Sequence, residues 1–202
     1  MAASSNVATP ILHKRTRLDT STVANMKRML EKATQTFNNG VPVQVEAASG
    51  FIIECATINS VATAIIAGFA TEPANNLTTS GTAKTLNTGF KVNNQASAVV
   101  IPLGAPPNDG TLGMVLATES MEFIGTYGDS ATAANAVLAQ VQVGAIRGLT
   151  KDAGNNFWYV DNNITTLAGG ACVQITELVD PIGTLNGKVI FKVIKAAQQL
   201  SS

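Results

Sequence analysis

A chain of 202 residues with zero net charge and 46% hydrophobic residues is long enough to bury one sizeable core and short for two. Only 13% of its residues are charged, against a usual share of about 25%, so Thr, Asn and other uncharged polar groups must cover most of the surface. The single histidine, His13, falls in a basic N-terminal arm expected to be flexible, which excludes a His-centred triad and a multi-histidine metal site in the core.

The charges are unevenly placed. Residues 1–40 carry Lys14, Arg15, Arg17, Lys27, Arg28 and Lys32 against Asp19 and Glu31, a balance of +4, which leaves −4 on the rest. A basic leader on an acidic body can approach nucleic acid or dock on an acidic protein surface. Six positive charges without interleaved aromatics favour the protein.

Residues 1–20 are poor in large apolar groups and end in HKRTRLDT. Burial cannot offset the ordering entropy of such a segment, so it reads as an arm that only contact orders. Extended, it reaches about 65 Å, enough to cross onto a neighbouring subunit. From Ser21 to Phe37 the spacing of Val23, Met26, Leu30, Ala33 and Phe37 predicts one short amphipathic helix. Thr20, Ser21 or Thr22 would cap it, and Asn38-Asn39-Gly40 would end it. Its apolar stripe packs either on its own domain or on a partner. Partner contacts are therefore expected at Ile11, Leu12, Lys14, Arg15 and Arg17 of the arm, and at Val23, Met26, Leu30 and Phe37 of the stripe. Residues 1–40 form the expected arm and helix, and 41–202 the expected β domain.

Beyond Gly40 the period changes to two. VPVQVEA and FIIECATI read as strands joined near Ala48-Ser49-Gly50, and AIIAGFA (64–70) as a third. The polar stretch 71–89, rich in Asn, Thr, Gly and Pro, reads as an exposed loop. ASAVVIPLG (96–104) is the next strand, and LGMVLATESMEFIG (112–125) gives two around Thr118-Glu119-Ser120. SATAANAVLAQV fits a short helix or a loop equally. The last strands fall near Val141–Leu149, Phe157–Asp161, Ala171–Leu178 and Lys188–Lys195, and Asn186-Gly187 predicts a type I′ hairpin turn. About eight strands without regular βα alternation predict a mainly β fold, a small barrel or sandwich.

No nucleophile elbow, zinc-protease motif or phosphate loop is present. Glu54, Glu119, Glu122, Asp152, Asp161 and Glu177 could supply a carboxylate pair, but no spacing singles one out. Asp152 and Asp161 flank Asn155-Asn156 without the ligand spacing of a calcium loop. Cys55 and Cys172, 117 positions apart and outside any Cys/His cluster, read as two buried free thiols. Trp158 and Tyr159 are adjacent, so a strand would point one inward and the other outward, for core packing and an intersubunit contact respectively. No enzyme activity, metal or cofactor is expected. The start MAASSNVATP lacks a basic stretch before an apolar run, and nowhere do 18 apolar residues run together, so neither export nor membrane insertion is expected.

The final third carries a family resemblance. Val143–Leu149 (VGAIRGL), Asn156–Asp161 (NFWYVD), Val173–Ile175 (VQI) and Asp180–Val193 (DPIGTLNGKVIFKV) resemble the ends of capsid decoration, or cement, proteins of tailed bacteriophages. Ile65–Ala70 (IIAGFA), the polar loop behind it and Val99–Pro102 (VVIP) are similar to their middle section, so the likeness covers residues 40–195. The resemblance implies a non-enzymatic virion protein on the outside of the capsid, often a homotrimer, that clamps neighbouring copies of the major capsid protein. Alternatives are another virion component (neck, tail or minor capsid protein) or a glycan-binding β module. The helix has no counterpart in that family.

Overall fold

The computed structural model describes residues 9–16, 25–56, 66–75, 85–86, 99–100 and 110–200. Its strands, in chain order, are β1 (Leu12–Thr16), β2 (Met26–Leu30), β3 (Pro42–Val45), β4 (Ile52–Glu54), β5 (Gly68–Ala70), β6 (Thr85–Leu86), β7 (Val99–Val100), β8 (Thr111–Leu116), β9 (Met121–Gly128), β10 (Ile146–Lys151), β11 (Trp158–Asp161), β12 (Val173–Leu178) and β13 (Lys188–Val193). Helical structure among the described residues is confined to three single turns of 3₁₀ helix, Ala133–Asn135, Gln140–Gln142 and Lys195–Ala197. The fold is mainly β, with more strands than the eight or so expected.

Two sheets share the work. In the first, β9, β11, β10, β12 and β13 follow one another in hydrogen-bonded order, and β13 pairs back onto β9, which closes a five-stranded barrel. The β9–β11 pair is parallel and the others antiparallel. The second sheet runs β2-β8-β5-β3-β4, all antiparallel. It curls until its ends meet, because Glu31 bridges Ile52 and the Lys32 amide donates to the Ile52 carbonyl at 3.0 Å. β6 and β7 pair only with each other.

β9 is the hub. One of its edges carries β13 over Phe123–Thr126, and the other carries β1 over Met121–Ile124 and β11 at Tyr127–Gly128. It is buried on both faces, which explains a near-continuous apolar run in place of alternation. Its Phe123 ring stands 4.3 Å from Phe69 of β5 and 6.0 Å from Phe191 of β13, so three aromatic rings knit the two sheets at their seam. One apolar cluster runs through both, from Val43, Ile52 and Phe69 to Val160, Ile175 and Phe191.

The expected helix over Ser21–Phe37 is overturned in its described part, residues 25–37. Met26–Leu30 is a strand, paired residue for residue with Val115–Thr111 of β8. Tertiary pairing decides this: β8 offers a free edge, while the supposed stripe shares no environment, since Met26 is 60% exposed and Phe37 only 4%. The arm is corrected too. Leu12–Thr16 pairs with the chain's own β9, and Ile11 is buried in its own core. Both strands before residue 40 are thus hydrogen-bonded to strands after it, and the expected boundary between arm and β domain separates nothing there.

Three smaller expectations also change. The strand expected from Val141 begins at Ile146, because the buried Gln142 ties residues 137–142 into a turn: its Oε1 accepts from the Ala139 amide and its Nε2 donates to the Val137 carbonyl. Asn186 has φ +52°, but Gly187 does not take positive φ, so the pair is no type I′ turn. Gly187 is needed for space, since a Cβ there would lie 2.5 Å from Leu138 Cδ1. Trp158 and Tyr159 are both buried, because each face of β11 is covered. Trp158 faces the second sheet, and a Cβ on Gly128 would meet the Tyr159 ring at 2.3 Å.

Candidate functional site

The nine residues expected to meet a partner are split by the fold. Ile11, 2% exposed, and Phe37 are core residues and could reach a partner only by unfolding. Arg17 and Val23 lie outside the described residues, and Arg15 takes a register position opposite Glu122. Leu12 (53% exposed), Lys14, Met26 and Leu30 remain on the surface.

The chain passing from β8 of the curled sheet to β9 of the barrel positions these four. β1 lies along the outer edge of β9 and β2 along that of β8, so Thr16 opposite Met121 and Met26 opposite Val115 flank the turn at 117–120. Leu12 and Lys14 of β1 are both exposed, Lys14 as the extra residue where the register shifts between His13 and Arg15, and strand alternation puts Met26, Arg28 and Leu30 on one face of β2. Arg28 is held in place: its Nη1 is 3.1 Å from the Glu72 carboxylate and its Nε donates to Thr111 Oγ1 at 2.9 Å. Glu72 in turn accepts from the Gly113 amide, which fixes the start of the polar loop on β8. Residues 76–84 and 87–89 of that loop lie outside the described residues.

Of the carboxylates considered for chemistry, Glu54, Asp152 and Asp161 are occupied in holding the fold. Glu54 of β4 accepts from Lys151 Nζ at 2.9 Å and from Trp158 Nε1 at 3.0 Å, and so latches the second sheet to the barrel. Asp161, fully buried, accepts from the Ser130 and Asn163 amides and from the Thr150 hydroxyl. Asp129 accepts from the Ala131 and Thr132 amides and from Asn162 Nδ2, while the Tyr127 hydroxyl donates to Asn162. Burial raises the Tyr127 phenol above its usual range. Asp152 accepts from the Gly154 amide within its own turn. Glu119 is exposed and 3.8 Å from Lys195, Glu122 is buried on β9, and Glu177 is exposed on β12. Sequence reasoning missed Glu31, a buried carboxylate at the end of β2 that accepts from Asn75 Nδ2 at 2.7 Å and from the Asn75 amide at 3.0 Å. Its signal was weak, one acidic residue within a basic run.

Among the described residues no group of three His, Cys, Asp or Glu is placed to hold a metal ion. Cys55 and Cys172 are buried free thiols. Burial pushes the Cys55 thiol well above its usual range, reinforced by Cys172 and Glu54 nearby, and pushes Cys172 up to about 12. Trp158, deep in the seam, presents no face on which a sugar could stack. No helix among the described residues is long and apolar enough to cross a membrane. Comparison with family models, with curated proteins and with solved structures finds no match to the chain.

Proposed function

We propose that this chain is a non-enzymatic structural protein of a tailed-phage virion, seated on the outside of the capsid, where it bridges neighbouring copies of the major capsid protein. The observation that carries the reading is the basic N-terminal segment. It is hydrogen-bonded into both sheets, yet leaves Leu12, Met26 and Leu30 exposed beside Lys14, Lys27 and Arg28. A surface of this kind joins apolar contact to charge attraction toward an acidic neighbour. The fold holds it rigidly, so little ordering entropy is lost on docking. The carboxylates support the same reading, because those at the seam and at the barrel end are engaged in structural hydrogen bonds. Many copies on one shell turn individually weak contacts into lasting retention.

Removing the whole arm is the wrong test, since it strips Ile11 from the core. The suitable variant is Leu12→Glu/Met26→Glu, at two exposed positions, with Leu167→Glu, exposed elsewhere, as control. Capsids incubated with each protein and pelleted should retain the double variant about tenfold less than the wild type, with far-UV circular dichroism unchanged. Equal retention of wild type and double variant would refute this docking surface.

A further inference from the structure

We infer that Cys55 and Cys172 are a disulfide-forming pair, which closes across the seam between the curled sheet and the barrel when a small disulfide oxidant such as oxidised glutathione is supplied. The two lie 117 positions apart and share no motif, so only the fold relates them. On the curled sheet, the Cys55 amide donates to the Pro42 carbonyl at 3.0 Å, which carries the β3–β4 pairing one residue past Glu54, and Pro42 in turn pairs with Phe69 of β5. Residues opposite one another on paired strands share a face of the sheet, so Cys55, Pro42 and Phe69 form one row. That row faces the barrel, because the Phe69 ring lies 4.3 Å from Phe123 and 6.0 Å from Phe191.

Cys172 lies on the barrel's side of the same seam. β10 and β13 both run antiparallel to β12, so Cys172, just before β12 begins, lies toward the ends of those two strands. It is fixed between them: its amide donates to the Arg147 carbonyl at 2.8 Å, and its carbonyl accepts from the Ile194 amide at 3.0 Å. The last residue of β10, Lys151, and the first of β11, Trp158, both bond Glu54, the neighbour of Cys55. The two cysteines, 6% and 0% exposed, belong to one apolar cluster. Electrostatics agrees with their closeness. Burial does most to raise the Cys55 thiol, and Cys172 adds more to that rise than the adjoining Glu54 carboxylate does.

Closure is an exchange reaction. One cysteine thiolate attacks the S–S bond of oxidised glutathione and expels a glutathione thiolate. The other then attacks the protein sulfur of the mixed disulfide, which forms the Cys55–Cys172 bond and expels the second glutathione. The two thiol protons pass to the two leaving thiolates, so the protein loses two electrons and the oxidant gains them. Both thiols are buried and protonated, so exchange waits on an opening of the seam, and the finished bond is shielded once the seam recloses. A reducing medium therefore leaves the pair as thiols, and an oxidising one ties the curled sheet covalently to the barrel.

The test uses the full-length chain in glutathione buffers of graded redox ratio, in native buffer and in concentrated urea, approached from both the reduced and the oxidised chain. No capsid enters it, so its outcome is independent of the capsid reading. Natively the chain should become two hydrogens lighter, with the new bond inside one chain on a non-reducing gel. That bond should survive a ratio about a hundredfold more reducing than in urea, because a fold that holds two sulfurs together favours their bond by the factor by which the bond favours the fold. Cys55→Ala and Cys172→Ala should each take up at most one glutathione and form no internal bond. A bond no more persistent natively than in urea would overturn the inference. Glutathione adducts on both cysteines of the wild type, or bonds between two chains, would do the same.

Discussion

Cys55 and Cys172 are chemically quiet at neutral pH, because the reactive form of a thiol is the thiolate and burial holds both protonated. The same burial gives stability a pH dependence. Below the ordinary thiol value of 9.0 folded and unfolded chains alike carry the proton. Between 9.0 and about 12 the unfolded chain releases the proton of Cys172 and the folded chain keeps it, so stability present at neutral pH is lost as pH rises through this window. At pH 10.5 the loss from Cys172 alone is about 2 kcal/mol, at ~1.4 kcal/mol per pH unit. Urea midpoints at pH 7.5 and 10.5 should therefore differ markedly for the wild type. In Cys172→Ala the difference should shrink, though not vanish, because Cys55 and Tyr127 are raised in the same direction. An unchanged difference in Cys172→Ala would show that the thiol is not the source.

At the scale of elements, the N-terminal strands clasp the β8–β9 connection from either side, β2 on β8 and β1 on β9. Ile11 anchors the clasp: its amide donates to the Gly40 carbonyl, and its side chain packs near Gly125 of β9. Ile11→Ala should cost roughly 3 kcal/mol in denaturant unfolding, while Leu12→Ala, one residue on and half exposed, should cost less than about 0.5 kcal/mol. Equal effects would mean that β1 does not hold its place. The sequence misled here for a physical reason. The three-and-four spacing of Met26, Leu30 and Phe37 imitates a helix stripe, but in β2 Met26 and Leu30 face solvent while Lys27 shares the opposite face with Met29, which packs on the core, so apolarity and burial part company at Met26 and Leu30. Where that link held, at Val43, Ile52, Phe123 and Ile175, the strands were readable from period and turn residues alone. The β9–β10 connection was half legible, as seventeen residues from Ser130 to Ile146 without a charge. That its Val137 meets Leu185 was not, because the pairing joins residues 48 positions apart.

For the whole molecule, the decisive feature is that the seam between the barrel and the curled sheet is itself core. Phe69 and Phe123 pack as tilted rings across it, Glu54 reaches over to Lys151 and Trp158, and the Gln199 side chain bonds both the Val45 amide and carbonyl. Neither sheet has a separate core to fall back on, so the two should unfold as one unit. Native-state hydrogen exchange can see both sheets at once, through amides of β3 and β5 on one side and of β12 and β13 on the other. At rising denaturant the most protected amides of both groups should converge on a single opening free energy. Val43→Ala, buried in the curled sheet, should then lower protection of the barrel amides by the same amount as that of its own sheet, roughly 1–2 kcal/mol. Barrel amides that keep wild-type protection in Val43→Ala would show two independently stable halves, and the seam would then be a docking contact instead of shared core.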